Sequence, residues 1–188
     1  QGIGPLAFTG AEAAQLQGSA IAEWGASKKG WKTGYLLLDT TVEYNKSVCY
    51  GFELGLKASG GKIVGQDTFK NDDPSIASQI TRLKAIDPAP DVIELCSYPP
   101  GGASAIRQIR AAGIKTAIAG DNAMDGTYWL SAVPDLSDFY YASLGSVVAK
   151  LRPATRPVFS YVSLGDVRHF GNNDSLGATA GCLGASFE

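Results

Sequence analysis

No run of about 18 apolar residues interrupts the 188-residue chain, so no segment is long enough to cross a bilayer as a helix. Charge of one sign is also missing. Sixteen Lys and Arg stand against 18 Asp and Glu, for a net charge of -2, and no basic block occurs. A nucleic-acid reader needs a Lys/Arg patch to neutralise phosphates, so nucleic acid is set aside as a partner. The start of the chain has no basic stretch followed by an apolar one. A cytoplasmic chain, a mature secreted chain and an excised piece are all compatible with that. Cysteine is scarce and odd in number: Cys49, Cys96 and Cys182 make no disulfide framework. Cys49 and Cys96 fall near the same strand ends. Two small buried hydrophobes is the favoured reading, with pairing in an oxidising compartment as the alternative.

Catalytic and cofactor chemistry is equally thin. A nucleotide-binding α/β domain places glycines after its first strand, so that backbone N–H groups approach phosphates. The loop after Leu38 reads DTTVEYNKS, with no glycine before Gly51, and neither GxGxxG nor GxxxxGK[ST] occurs. G-x-S-x-G is absent, and the single histidine, His169, lies in a tail without periodicity. Asn71-Asp72-Asp73 precedes Pro74 and reads as helix capping rather than metal ligation. Asp39 ends the first strand, as a phosphoacceptor would, but the acidic pair and lysine that accompany one are missing. No cofactor and no metal is expected, and the chain is read as a binding protein, not an enzyme.

What is present is regular alternation. The 45% hydrophobic, 18% charged composition suits a globular core. Its centre is Asp91–Asp121, DVIELCSYPPGGASAIRQIRAAGIKTAIAGD. Asp91–Cys96 is an apolar run with β-branched Val92 and Ile93, as in a strand buried on both faces. Pro99-Pro100-Gly101-Gly102 turns the chain. From Ala103, Ile106 and Ile109 return at helical spacing, and Gly113 closes the helix. Thr116–Ala119 is the next strand, completing a βαβ unit.

The same alternation extends in both directions. Before the centre come a helix over about 11–27, a strand over Thr33–Leu38, a helix over about 45–58 and a strand over Lys62–Phe69. A further helix is expected to be capped by Asp73 and to begin at Pro74. After the centre come a short helix over Asp125–Ala132 and a fifth strand over Phe139–Leu144. The expected fold is α/β: a doubly wound, mainly parallel five-stranded sheet with helices on both faces. Residues 1–145 form the expected ligand-binding lobe and 146–188 an irregular C-terminal segment. Within that segment Phe159–Leu164 fits either a strand or a first helical turn.

Ligands of open α/β sheets gather at the carboxyl ends of the strands. Thr40, Thr41 and Tyr44 follow the first strand, Ser97 and Tyr98 the third, and Asp121 and Asn122 the fourth. Two tyrosines offer ring faces and hydroxyls, the Thr, Ser and Asn side chains offer donors and acceptors, and Asp121 offers a charge. This is equipment for holding a small polar molecule.

Several segments then carry a resemblance: TGYLLLDTTVEYNKSVCYGFE, GGKIVGQDTF with NDDPSIASQITRLKA, and SYPPGGASAIRQIRAAGIKTAIAGD. In that order and spacing the chain resembles type I periplasmic solute-binding proteins of ABC transporters, in the branched-chain amino acid (Leu/Ile/Val) binding family, over about Pro5 to Leu144. The resemblance implies two α/β lobes joined by a hinge, of which this chain is similar to the second. It implies a periplasmic, or membrane-anchored extracytoplasmic, protein that closes on a small-molecule solute. Its implied partners are a first lobe and an ABC permease in the membrane. It maps ligand contacts onto Tyr44, Tyr98 and the Asp121-Asn122 pair. Where amino-acid binders of the family carry a glutamate for the ligand ammonium, this chain has Asn122, which leaves room for an aromatic acid, amide or other polar solute. Pro157–Gly165 resembles a later family segment, after a much shorter connection. A ligand-sensing receptor or regulator domain on the same scaffold is the alternative. An exposed half-cleft also favours self-association into a homo-oligomer.

Overall fold

The computed structural model describes residues 13–125, 129–133 and 136–143, together with the backbone of a strand at 160–164. Helix α1 (Ala14–Lys28) leads into β1 (Thr33–Asp39), α2 (Glu43–Ala58) and β2 (Lys62–Phe69). Helix α3 (Ala77–Lys84), β3 (Val92–Cys96), α4 (Gly101–Ala111) and β4 (Ala117–Gly120) follow. Two 3₁₀ turns (Asn122–Met124 and Leu130–Ala132) come before β5 (Phe139–Ser143) and β6 (Ser160–Leu164).

The sheet order is β2-β1-β3-β4-β5-β6. The first five strands are parallel, and β6 runs antiparallel against β5, with Phe139 opposite Leu164 and Ser143 opposite Ser160. The doubly wound α/β sheet is as expected, but it has six strands, not five. The extra strand comes from Phe159–Leu164, whose alternatives resolve to strand because the open edge of β5 offers it a ladder. The remainder of 146–188, with its expected irregularity and His169, lies outside the described residues.

Alternation along the strands divides the core. Tyr35, Leu37, Ile93, Leu95, Ile118, Phe139 and Tyr141 pack under α3 and α4 with Ile76, Leu83, Ile106 and Ile109. Leu36, Val92, Cys96, Ala119, Tyr140 and Ala142 face α1 and α2, against Ile21, Ala22, Val48, Phe52 and Leu56. Period-2 side chains on both faces of a central strand explain why β3 reads as five buried residues in a row. Helices α1 and α2 pack with their backbones nearly in contact. A Cβ added at Gly51 would lie 2.0 Å from the Gln15 carbonyl oxygen, and one at Gly18 the same distance from that of Val48. That closeness holds the start of α1 over the carboxyl edge of the sheet.

Three local expectations are corrected. The third helix starts at Ala77, with Ile76 at its N-cap, rather than at Pro74. The Asp73 carboxylate turns back to accept the Lys70 N–H at 2.8 Å, which closes the tight loop 70–73 instead of capping a helix. The helix expected over Asp125–Ala132 is not found among the described residues of that range, where Leu130–Ala132 form a 3₁₀ turn; the other 3₁₀ turn, Asn122–Met124, precedes it. Cys49 and Cys96 form a disulfide, with Cα atoms 5.8 Å apart, and so are not merely two buried hydrophobes. It ties α2 to the last residue of β3.

Candidate functional site

Strand β1 ends on Asp39, and its side chain, 0% exposed, organises the first corner of the carboxyl edge. Asp39 Oδ1 accepts the Thr41 N–H at 3.0 Å. Its Oδ2 accepts the Ser97 hydroxyl and the Asn71 amide, each at 2.8 Å. Asn71 continues the network. It donates to the Tyr98 carbonyl at 2.8 Å, accepts the Gly101 N–H at 3.2 Å, and sends its own N–H to Thr41 Oγ1 at 3.1 Å. One side chain from the loop after β2 thus joins the ends of β1 and β3 to the first turn of α4. Burial pushes the Asp39 carboxyl up, but hydrogen bonds from Thr41, Asn71 and Ser97 outweigh it and hold it below its ordinary value. It stays charged because its donors are built in.

Thr40, Thr41, Lys70, Asn71, Asp72 and Tyr98 line a recess of about 520 Å³, open to solvent. The Thr40 N–H donates to the Phe69 carbonyl at 2.9 Å, which ties the loop after β1 to the end of β2 while the Thr40 side chain stays exposed. Ser97 is fully buried beneath this recess, so its hydroxyl supports the wall and is not displayed.

A second corner forms where α1, α2 and β4 meet. The Tyr44 hydroxyl lies 2.7 Å from Gln17 Oε1, 2.5 Å from Asn122 Oδ1 and 3.3 Å from Asp121 Oδ1. Gln17 Oε1 also accepts the Asn122 N–H at 3.1 Å, and Asp121 Oδ1 accepts the Ala123 N–H at 2.7 Å. Asp121 is 0% exposed. Burial raises its carboxyl to about 7 despite the hydrogen bonds from Ala123 and Tyr44, which pull it down. Behind it, Glu94 is also 0% exposed, and burial and then the charge of Asp121 raise it well above the carboxylate range.

All seven residues singled out in the sequence therefore lie at the carboxyl edge, but in two groups. Thr40, Thr41, Ser97 and Tyr98 belong to the Asp39 corner, and Tyr44, Asp121 and Asn122 to the other. Asp121 does not present its charge to solvent, contrary to the role expected of it, because its side chain turns under Tyr44.

Three residues that organise these corners escaped notice. Asn71 was absorbed into a helix-start signal. Gln17 sits four residues before Ile21 on the buried stripe of α1, a polar residue at an apolar position. Glu94 is the lone charge inside the apolar run of β3, and that conflict was its available signal. Among the described residues no group of three or more His, Cys, Asp or Glu is placed to hold a metal, and no helix is long and apolar enough to cross a membrane.

A parallel sheet wound on both faces, with its polar groups collected at the carboxyl edge, defines one lobe of an α/β ligand-binding fold. A sequence profile described as periplasmic binding protein matches residues 4–156. The chain belongs to that family. No curated protein matches it in sequence. Among solved structures it is similar to the branched-chain amino acid transporter substrate-binding protein LivJ of Streptococcus pneumoniae in complex with isoleucine. The TM-score is 0.67 at 24% identity, over 74% of this chain and 39% of that one. It is similar to the leucine-binding protein LivK of Thermotoga maritima, with a TM-score of 0.69 at 20% identity over 74% and 39%. A solute-binding protein of Rhodopseudomonas palustris in complex with benzoate gives 0.62 at 16% identity over 74% and 36%. The chain thus spans less than two fifths or so of the length of these structures, and the likeness is one of fold.

Proposed function

We propose that this chain is the second lobe of an extracytoplasmic solute-binding protein, serving an ABC importer and holding a small polar solute such as an amino acid or aromatic acid. The observation that carries this reading is the recess at the carboxyl edge, lined by Thr40, Thr41, Lys70, Asn71 and Tyr98 and braced from beneath by Asp39 and Ser97. Such a rim holds a solute by hydrogen bonds and a ring face and carries no nucleophile–base pair. Family membership supports a binding role, and the isoleucine and benzoate held by two structures of similar fold support a small solute.

Binding would proceed by hinge closure. The solute bridges this rim and the facing lobe, favours the closed form, and the membrane permease engages that form. The Cys49–Cys96 disulfide supports an oxidising, extracytoplasmic setting. A lone lobe supplies only half the contacts, so tight binding requires the two-lobe protein.

A thermal-shift screen of amino acids, aromatic acids, amides and ureas tests this, run on the chain and on a two-lobe form. A solute that stabilises only the two-lobe form is the expected result. One that stabilises this chain equally would mean a self-contained site and overturn the shared-cleft reading.

A further inference from the structure

The second corner gathers acceptor oxygens around one hydroxyl. Around the Tyr44 hydroxyl stand three acceptor oxygens, from Gln17, Asn122 and Asp121, and a phenol has one hydrogen to give. Deeper on the same face, Asp121 Oδ2, both carboxyl oxygens of Glu94 and Asn45 Oδ1 are buried with no hydrogen-bond partner among the described residues. Glu94 pairs in register with Ala119, so Asp121, two residues further along β4, is its diagonal neighbour on the α1/α2 face. A buried ionised carboxylate needs a cation or several donors. The ion pairs among the described residues join Lys46 to Glu43, Lys57 to Glu53 and Arg82 to Asp67, and none reaches this corner.

The groups facing the pair give little more. Gln17 comes from α1, and Tyr44 and Asn45 from α2. The Asn45 amide is already committed to the Asp39 carbonyl at 3.0 Å. Tyr140 of β5 lies on the same side of the sheet, but its hydroxyl donates to Asp138, 2.8 Å away. With no hydrogen bond from the described residues to Asp121 Oδ2 or to either Glu94 oxygen, the carboxyls themselves are left as the source of a hydrogen there.

We propose that Glu94 and Asp121 hold at least one proton between them at neutral pH, and that this proton makes Glu94 a positioning residue for Tyr44 and Asn122 at the rim. A neutral Glu94 supplies an O–H to the acceptor cluster, and a protonated Asp121 lets the Tyr44 hydroxyl settle on Gln17 and Asn122. When Asp121 ionises, its Oδ1 competes for the one Tyr44 hydrogen, and the corner rearranges. The direction for stability follows. Asp121 binds its proton more tightly in the folded chain, near 7, than its ordinary carboxyl would. Its contribution is complete below about pH 4 and lost as the pH rises through about 7.

Carbon-13 NMR of the whole chain, with labelled carboxyls and tyrosine rings, tests this between pH 4 and 9. The expected result is one carboxyl of the pair still protonated at pH 6, and Tyr44 ring signals that move with a midpoint near 7. Asp121→Asn should abolish that movement, while His169→Gln, which removes the chain's only histidine, should leave it intact. At pH 4, Glu94→Gln, whose amide also donates, should leave the Tyr44 signals at their wild-type position, and Glu94→Ala should displace them. Two ionised carboxyls by pH 5, or a Tyr44 titration that persists in Asp121→Asn, would overturn the proposal. Because the wild-type carboxyl signals decide the first point alone, a variant that fails to fold does not rescue it.

Discussion

Asp39 and Asp121 close neighbouring regions of the same sheet edge, both are fully buried, and their chemistry is opposite. Asp39 is surrounded by donors from three loops and lies below its ordinary carboxylate range. Asp121 receives Ala123 and a share of Tyr44, has one oxygen without a partner among the described residues, and rises to about 7. Burial alone would push both upward. What separates them is the supply of hydrogens, and the difference shows that position at a strand end does not fix the charge a site displays.

Breaking the link between the corners should have the largest effect. Cys49 stands on α2 one turn beyond Asn45, and Cys96 directly precedes Ser97. Their bridge closes a separation of 47 residues. Replacing both cysteines by alanine should cost about 4 kcal/mol by loop entropy. Denaturant unfolding under non-reducing conditions measures this, and a loss below about 1 kcal/mol would mean that the bridge does not constrain the unfolded chain.

The Asp39 corner comes next. Asp39→Ala strips the acceptor from Thr41, Asn71 and Ser97 together and should cost about 3 kcal/mol, the penalty of leaving buried donors unpaired. Asp121→Asn should cost far less at pH 8, since an amide replaces a group that is already reluctant to ionise. Equal costs would erase the contrast between the corners.

The smallest effect is a pH crossing. The folded Asp39 value lies below the unfolded one, so its contribution is present above about pH 4 and lost as the pH falls through the folded value. The gap in melting temperature between the wild type and Asp39→Asn should therefore narrow on acidification. A gap constant from pH 6 to pH 2.5 would show that the Asp39 charge contributes nothing to stability.

Legibility in the sequence followed the range of the interactions. β2 is found at its expected bounds, and β1 and β3 within a residue of theirs, because short apolar runs bounded by turn residues are a local signal. The third helix begins three residues later than Asp73 and Pro74 predict, because Asp73 closes the loop 70–73 on the Lys70 N–H instead of starting a helix. Asp125–Ala132 reads as a short helix ended by Pro134, whereas the described residues between β4 and β5 form 3₁₀ turns. The seven rim residues were visible because topology sends strand ends to one edge. Asn71 was not, since its partners lie 26 to 32 residues away.

The order of strands and helices from α1 to β4, the parallel winding and the location of polar groups at the carboxyl edge were written in the chain itself. Each depends on local periodicity, on turn residues, or on which side chains exist. Tertiary structure alone decided that the cysteines pair, that β6 returns against β5, and that Gln17 of α1 reaches Asn122. It also decided that one strand-end aspartate is charged while the other favours its proton. Those outcomes depend on which donors and partners arrive from distant parts of the chain, and only folding brings them together.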